Sequence, residues 1–276
     1  MTEVKRRTFN PSAIHFSETH RVLLSGVAPR PIAFVGSQDR EGRVNLSPFS
    51  FFIAFGVNPP IVCFSPAFAG KTGAPKDTLL NVLETRECTI SIVSHEMVHQ
   101  ASLASAPYAK GVDEFEKGGF TKLASQRVAP PAVAESPFVM EAKLLHHIDF
   151  GGVPGSANLL ICEVLLMHVR DDVFAENGSI DPMKVDHVAR MGGAWYTRAK
   201  EGAFQYAQPT APLLGIDGLP DALRQSSILT GAELSRLAAI SSLPPVTADL
   251  TASAVQQRLK DMLGEGLPIE EIWSRL

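Results

Sequence analysis

Apolar residues in the first two thirds of the chain come in short, β-branched or aliphatic runs closed by Pro, Gly, Asp or Ser. Strands are predicted at residues 31–37 (PIAFVGS), 61–65 (IVCFS), 88–94 (CTISIVS) and 158–169 (NLLICEVLLMHV), with a less regular one at 137–149 (PFVMEAKLLHHID). Gln38-Asp39-Arg40-Glu41-Gly42 reads as the loop of a hairpin, and the scattered Pro and Gly suit a β-rich fold with many turns. Helices are few here: one starts near Asp77 and runs through LLNVLETR, and another starts at Ser94 and runs through HEMVHQASLAS. After about residue 210 the pattern changes. Ala211-Pro212 and Gly218-Leu219-Pro220 read as a linker, and Thr230-Gly-Ala-Glu233 has the form of a capping box ahead of LSRLAAI. Thr251 opens a second helical stretch ended by Gly264, and Pro268 suits the first turn of a last short helix. The expected organisation is a domain over 1–210 and a helical extension over 211–276. The amphipathic spacing of the extension says that it packs on something, its own barrel or a neighbour.

A chain of 276 residues with 45% hydrophobic and 20% charged residues has room for a sizeable core and is not disordered in composition. Its formal net charge is -4, so there is no basic surplus for a nucleic-acid backbone. A small anionic cofactor needs only one or two local cations. Cys63, Cys88 and Cys162 are far apart in apolar runs and read as buried, reduced thiols. The polar start MTEVKRRTFN is no signal peptide, and no apolar run reaches membrane-spanning length, so a cytoplasmic protein with no membrane partner is expected.

The most informative stretch is Pro29-Arg30-Pro31-Ile-Ala-Phe-Val, then Asn45-Leu46-Ser47-Pro48-Phe49-Ser50-Phe51, Asn58-Pro59-Pro60, and Lys76-Asp77-Thr78 with Asn81. In this order and spacing, over roughly residues 20–205, the chain resembles the flavin reductase-like family, which includes flavoredoxins and ferric-chelate reductases. The resemblance implies a mainly β fold, a six-stranded Greek-key split β-barrel (the FMN-binding split barrel) with peripheral helices. It also implies a homodimer with FMN at the subunit interface, and residues 45–51 lining the flavin.

The residues themselves agree with such a cofactor. An isoalloxazine needs a flat apolar slot with polar groups along one edge. Pro48 has no N–H, Ser47 and Ser50 carry short hydroxyls, and Phe49 or Phe51 offers a stacking face; an irregular strand with core aromatics would read the same way. Lys76-Asp77-Thr78 opens a helix, where free N–H groups, an ammonium and a hydroxyl suit a phosphate, although Asp77 also serves as a simple cap. Lys71, Thr72 and Gly73 precede it in a loop. Arg30, between two prolines, is a further cation or a plain strand-edge arginine.

Two places test the resemblance. Gly155-Ser156-Ala157 stands where many NAD(P)H:flavin reductases of this fold have Gly-Asp-His, a histidine linked to nicotinamide, so NAD(P)H as donor is left open. His146 and His147 lie nearby, but neighbours on a strand face opposite ways. Arg190-Met-Gly-Gly-Ala-Trp195-Tyr196 looks like the family's Arg-Leu-Gly-Gly…Tyr segment, which places Trp195 or Tyr196 near the flavin.

A rival motif is His95-Glu96-Met97-Val98-His99, which fits the H-E-x-x-H pattern of zinc hydrolases. It has no evident third ligand and leaves the other motifs unexplained, so polar residues on a surface helix are the better account. No GxGxxG after a strand, P-loop or G-x-S-x-G elbow is present. The resulting expectation is an FMN-binding oxidoreductase, taking electrons from NAD(P)H or another donor and passing them to a flavin, an iron chelate, a partner monooxygenase or a small organic acceptor. The alternative is a flavin carrier without turnover.

Overall fold

The computed structural model describes residues 4–206 and 208–276, which form two compact units divided between Ala203 and Phe204. The first unit runs α1 (Phe16–Gly26), β1 (Ala33–Gln38), β2 (Val44–Phe49), β3 (Phe52–Val57), β4 (Pro60–Phe64), α2 (Asp77–Thr85) and β5 (Glu87–Ile92). A 3-10 turn, His95–Met97, leads into α3 (Val98–Ala104), then α4 (Glu114–Gly118) and the small hairpin of β6 (Lys122–Leu123) and β7 (Ala132–Val133). Two long strands follow, β8 (Phe138–Asp149) and β9 (Asn158–Val169), then α5 (Pro182–Val185) and the hairpin of β10 (Val188–Arg190) and β11 (Tyr196–Arg198).

The main sheet is antiparallel in the order β2-β1-β5-β8-β9-β4-β3. Its two edge strands, β2 and β3, are neighbours in sequence, joined only by Ser50 and Phe51. In a flat sheet of this order six interstrand steps of about 4.8 Å would part the edges by about 29 Å. A two-residue link spans about 10 Å. The sheet must therefore curl until its edges almost meet, with a seam where β2 and β3 are not paired. Seven strands are present where six were expected, because the run Val44–Val57 is bent at Ser50–Phe51 into a strand at each edge.

The curl creates two apolar clusters. Inside lie Val35, Phe49, Phe64, Ile90, Leu144 and Leu160, closed at one end by Leu79 and Val82 of α2. Outside, Ile32, Phe34 and Leu46 pack against the 3-10 turn, α3 and α4 through Met97, Ala101 and Phe115, with Phe34 and Phe120 edge to face at 5.2 Å. Alternate residues of β1 thus serve both clusters, which is why its sequence is a continuous apolar run. On β2 the free N–H of Leu46 is taken by Glu114 Oε2 of α4 at 3.0 Å. Burial pushes the Glu114 carboxyl up against the opposing pull of that hydrogen bond. All three cysteines are buried and unpaired.

The second unit contains α6 (Asp221–Arg224), α7 (Gly231–Leu237), α8 (Ser253–Gly264) and α9 (Ile269–Ser274). Thr230 and Glu233 form the capping box of α7, with Thr230 N–H donating to Glu233 Oε2 at 2.6 Å. Its helices bury Leu223, Leu237, Leu259, Leu263, Ile272 and Trp273 against one another, a core of its own. Among the described residues no helix is long and apolar enough to cross a membrane.

Candidate functional site

Successive side chains of a strand point to opposite faces, and this divides the stretch 45–51. Phe49 points inward, 5.9 Å from Phe64, and Ser47 lies opposite the inward Val35. Asn45 shares that face: its Nδ2 donates to Thr78 Oγ1 at 2.8 Å. Leu46 points outward into the second cluster, and Pro48 and Ser50 follow it into an open cleft on the outer face of the sheet. Phe51, at the bend, stands on the rim of the same cleft and is 39% exposed.

The cleft has a volume of about 290 Å³. Its floor is Ile32, Pro48 and Ser50, one wall is the Val98, Ala101, Ser102 and Ser105 face of α3, and another is His20 and Leu24 of α1. Arg30, Arg190 and Tyr196 complete it. Arg30 and Arg190 are tied by a pair of backbone hydrogen bonds, each 2.9 Å. The Arg30 guanidinium is buried and donates through Nη1 to Leu24 O and Val27 O, both 2.6 Å, and through Nη2 to Met191 O at 3.1 Å. Its Nε is buried and has no hydrogen-bond partner among the described residues. Arg190 stacks on Tyr196, 4.5 Å from the ring centre, and donates to Gly193 O at 2.7 Å.

No carboxylate lines this cleft, and among the described residues neither arginine has an ion-pair partner. Burial, with the neighbouring charge of Arg190, pulls the Arg30 guanidinium down from its ordinary value, yet an arginine remains protonated. A buried cation bonded only to carbonyls retains an unmet charge. The cleft therefore offers two guanidiniums, three serine hydroxyls, a phenol and apolar walls, a setting for a flat molecule that carries an anion.

Other residues singled out in the sequence lie elsewhere. Thr78 is fully buried and Asn81 donates to Ser37 Oγ at 3.2 Å, so with Asn45 they pin α2 to the barrel interior rather than open onto the cleft. Replacing Thr78 with valine should strand the Asn45 amide and cost about 1–3 kcal/mol, read as a lower thermal midpoint. Lys76 is the exposed N-cap of α2, and Asp77 lines a hollow of about 10 Å³ with Asn45 and Asn81, which holds a water at most. His147 is half-buried against Asn158 Oδ1 at 3.0 Å while His146 is exposed. Trp195 is 77% exposed at the tip of the β10–β11 hairpin.

His95 falls in the 3-10 turn and His99 in α3, so the two do not sit one regular helical turn apart. Among the described residues no three His, Cys, Asp or Glu side chains are grouped to hold a metal. The α3 wall was not foreseen, although Val98, Ala101, Ser102 and Ser105 recur at helical spacing and mark one face. His20 and Leu24 carried no signal in the sequence, where the helix Phe16–Gly26 was not expected.

A model of the flavin reductase like domain matches residues 25–189. An uncharacterized protein of Halalkalibacterium halodurans is 34% identical over 203 residues, which cover 73% of this chain and 96% of the relative. Nitrilotriacetate monooxygenase component B from Bacillus cereus superposes with a TM-score of 0.69 at 26% identity, over 75% of this chain and all of that one. A protein with a split barrel domain from Shewanella frigidimarina, described as a flavin reductase, gives 0.62 at 28% identity over 72% of this chain and 96% of its own. The curled sheet is thus of split-barrel type.

Proposed function

The chain belongs to the flavin reductase-like family, and on that premise we propose that it is an FMN-dependent oxidoreductase whose cofactor occupies the cleft between β2, α3 and the Arg30–Arg190 pair. The carrying observation is the unmet positive charge of that pair, with the unpartnered Arg30 Nε, in a cleft without a carboxylate. Those residues fit a flat ring system bearing a phosphate. Arg30 and Arg190 hold the phosphate, and Ser50, Ser102 and Ser105 serve the polar edge and side chain of the ring. Ile32, Pro48, Val98 and Ala101 shield its faces from water, with Phe51 at the rim. Bound FMN supplies the hydride and electron chemistry. The protein positions it and excludes solvent, and an acceptor such as free flavin, an iron chelate or a small organic molecule approaches from the open side. NAD(P)H is the first donor to try, without help from residue 157, an alanine.

Replacing Arg190 with alanine is expected to weaken FMN binding at least tenfold, as a charge-assisted contact is lost, with little change in thermal stability. Fluorescence quenching of added FMN measures this. Equal affinity in the variant would move the phosphate out of the cleft.

The family resemblance also supports a homodimer, and β3 is where a second copy fits best. It is an edge strand whose Ile53, Phe55 and Val57 are 57%, 77% and 92% exposed, with an irregular register between Ala54 and Gly56. An unpaired apolar edge is an aggregation hazard unless covered. It follows directly from Phe51, so a partner on β3 lies beside the cleft. Phe55→Asp is expected to give a monomer by light scattering and to lose part of its FMN affinity; a variant that remains dimeric would place the interface elsewhere.

A further inference from the structure

Helix α1 is unusual in this unit because none of its residues is buried. An element that buries nothing adds little to the core, yet this one is held at several points. Arg30 binds Leu24 O in its last turn and Val27 O just past its end. Ser25 fits so closely against Gly192 that a Cβ there would stand 2.3 Å from Ser25 Oγ. Phe16 lies against Gly155, where a Cβ would meet its ring at 3.4 Å. What this pinning secures is the position of His20 and Leu24, one helical turn apart, over the cleft. Both precede residue 25, where the match to the family begins. Arg30 and the floor lie within the matched segment, whereas α1 before residue 25 and Arg190 lie just outside its two ends.

We propose that α1 is the specificity wall of the cleft and that His20 selects an anionic second ligand, the molecule that exchanges electrons with the flavin. This rests on the flavin reading above. With FMN held by the arginine pair, the second ligand meets the flavin from the side that α1 borders. His20 is the polar group α1 presents there, and Leu24 gives the apolar surface beneath a flat ligand. The charged or titratable groups facing it across the cleft are Arg30, Arg190 and Tyr196, none of them a carboxylate. On α1 itself, Glu18 is engaged by Arg21 at 3.3 Å. Apart from the flavin phosphate held by the arginine pair, a negative ligand therefore meets no like charge from the lining side chains and can accept from the imidazole.

The test uses the full chain loaded with FMN and titrated with benzoate, a flat anion that needs no turnover, followed by the shift of the flavin absorbance band. His20→Lys should bind benzoate within about threefold of the wild type, His20→Gln about tenfold more weakly, and His20→Asp weaker still. Benzamide, uncharged, should show no such order, and phenyl phosphate in place of benzoate tells a phosphate-bearing ligand from a carboxylate. FMN affinity should stay within about threefold in wild type, His20→Lys and His20→Gln, because the wall does not carry the phosphate, and His20→Asp is compared at saturating FMN. A protein that takes up FMN yet binds benzoate equally in all four forms, or not at all, overturns this assignment alone. A protein that takes up no FMN overturns the flavin reading as well.

Discussion

Arg30→Lys is expected to fold but to bind FMN at least tenfold more weakly and to unfold at a lower temperature. The guanidinium makes three hydrogen bonds to carbonyls of α1, the following turn and Met191, while its Nε is buried without a partner among the described residues. A lysine ammonium has no fork to bridge these groups and would leave at least one buried carbonyl unpaired. Each such group costs about 1–3 kcal/mol. The proposed phosphate meanwhile loses the guanidinium that fixes the wall of the cleft beside Arg190. Both effects come from one side chain, so a titration by fluorescence quenching and a thermal scan on the same sample read them together. Lowered stability with unchanged affinity would show that Arg30 only joins α1 to the Met191 loop, and would return the phosphate to Lys76 at the start of α2.

The largest effect on stability alone is expected at Glu141, in β8. Its carboxylate is fully buried and accepts from the backbone N–H of Gln126, Arg127 and Val128, at 2.9, 2.6 and 3.2 Å, and from His168 Nε2 at 2.7 Å. It thereby fastens the 126–128 turn and β9 to the middle of the sheet. Burial alone would raise its pKa, but these donors together outweigh burial and hold it below the usual carboxylate range. Glu141→Ala leaves the Val128 N–H unpaired in the interior and the other donors to compete for water, and should cost about 1–3 kcal/mol in urea or thermal unfolding. Because the folded-state pKa is depressed, this stabilisation is complete above the ordinary carboxylate value and drains away as pH falls through the lower folded value. Wild type should therefore lose stability in acid more steeply than Glu141→Gln, which carries no such proton linkage. Parallel acid profiles would contradict this role.

The strands were legible because their apolar runs are long and bounded. The strand of 158–169 and the capping box at Thr230 stand where the sequence puts them. The bend at Ser50–Phe51 was not legible, since nothing in NLSPFSFF says that its halves pair at opposite edges of one sheet. That pairing is decided by β1 and β4, far apart in order. The same gap explains the site. Residues 45–51 read as one ligand-facing stretch, but the strand period gives Pro48 and Ser50 to the cleft and Asn45 and Phe49 to the interior. Arg30 was visible as an oddity between prolines, whereas its grip on α1 depends on backbone carbonyls, which leave no trace in the residue types. His20 came to light only through the packing of α1.

Titrating FMN into the 276-residue chain and following the quenching of flavin fluorescence tests the cleft most directly. Saturation at one FMN per chain, weakened by Arg30→Lys and by Arg190→Ala but not by Thr78→Val, is the expected result. A titration without saturation, or one that Thr78→Val disrupts while both arginine variants bind normally, would contradict the assignment of the cleft.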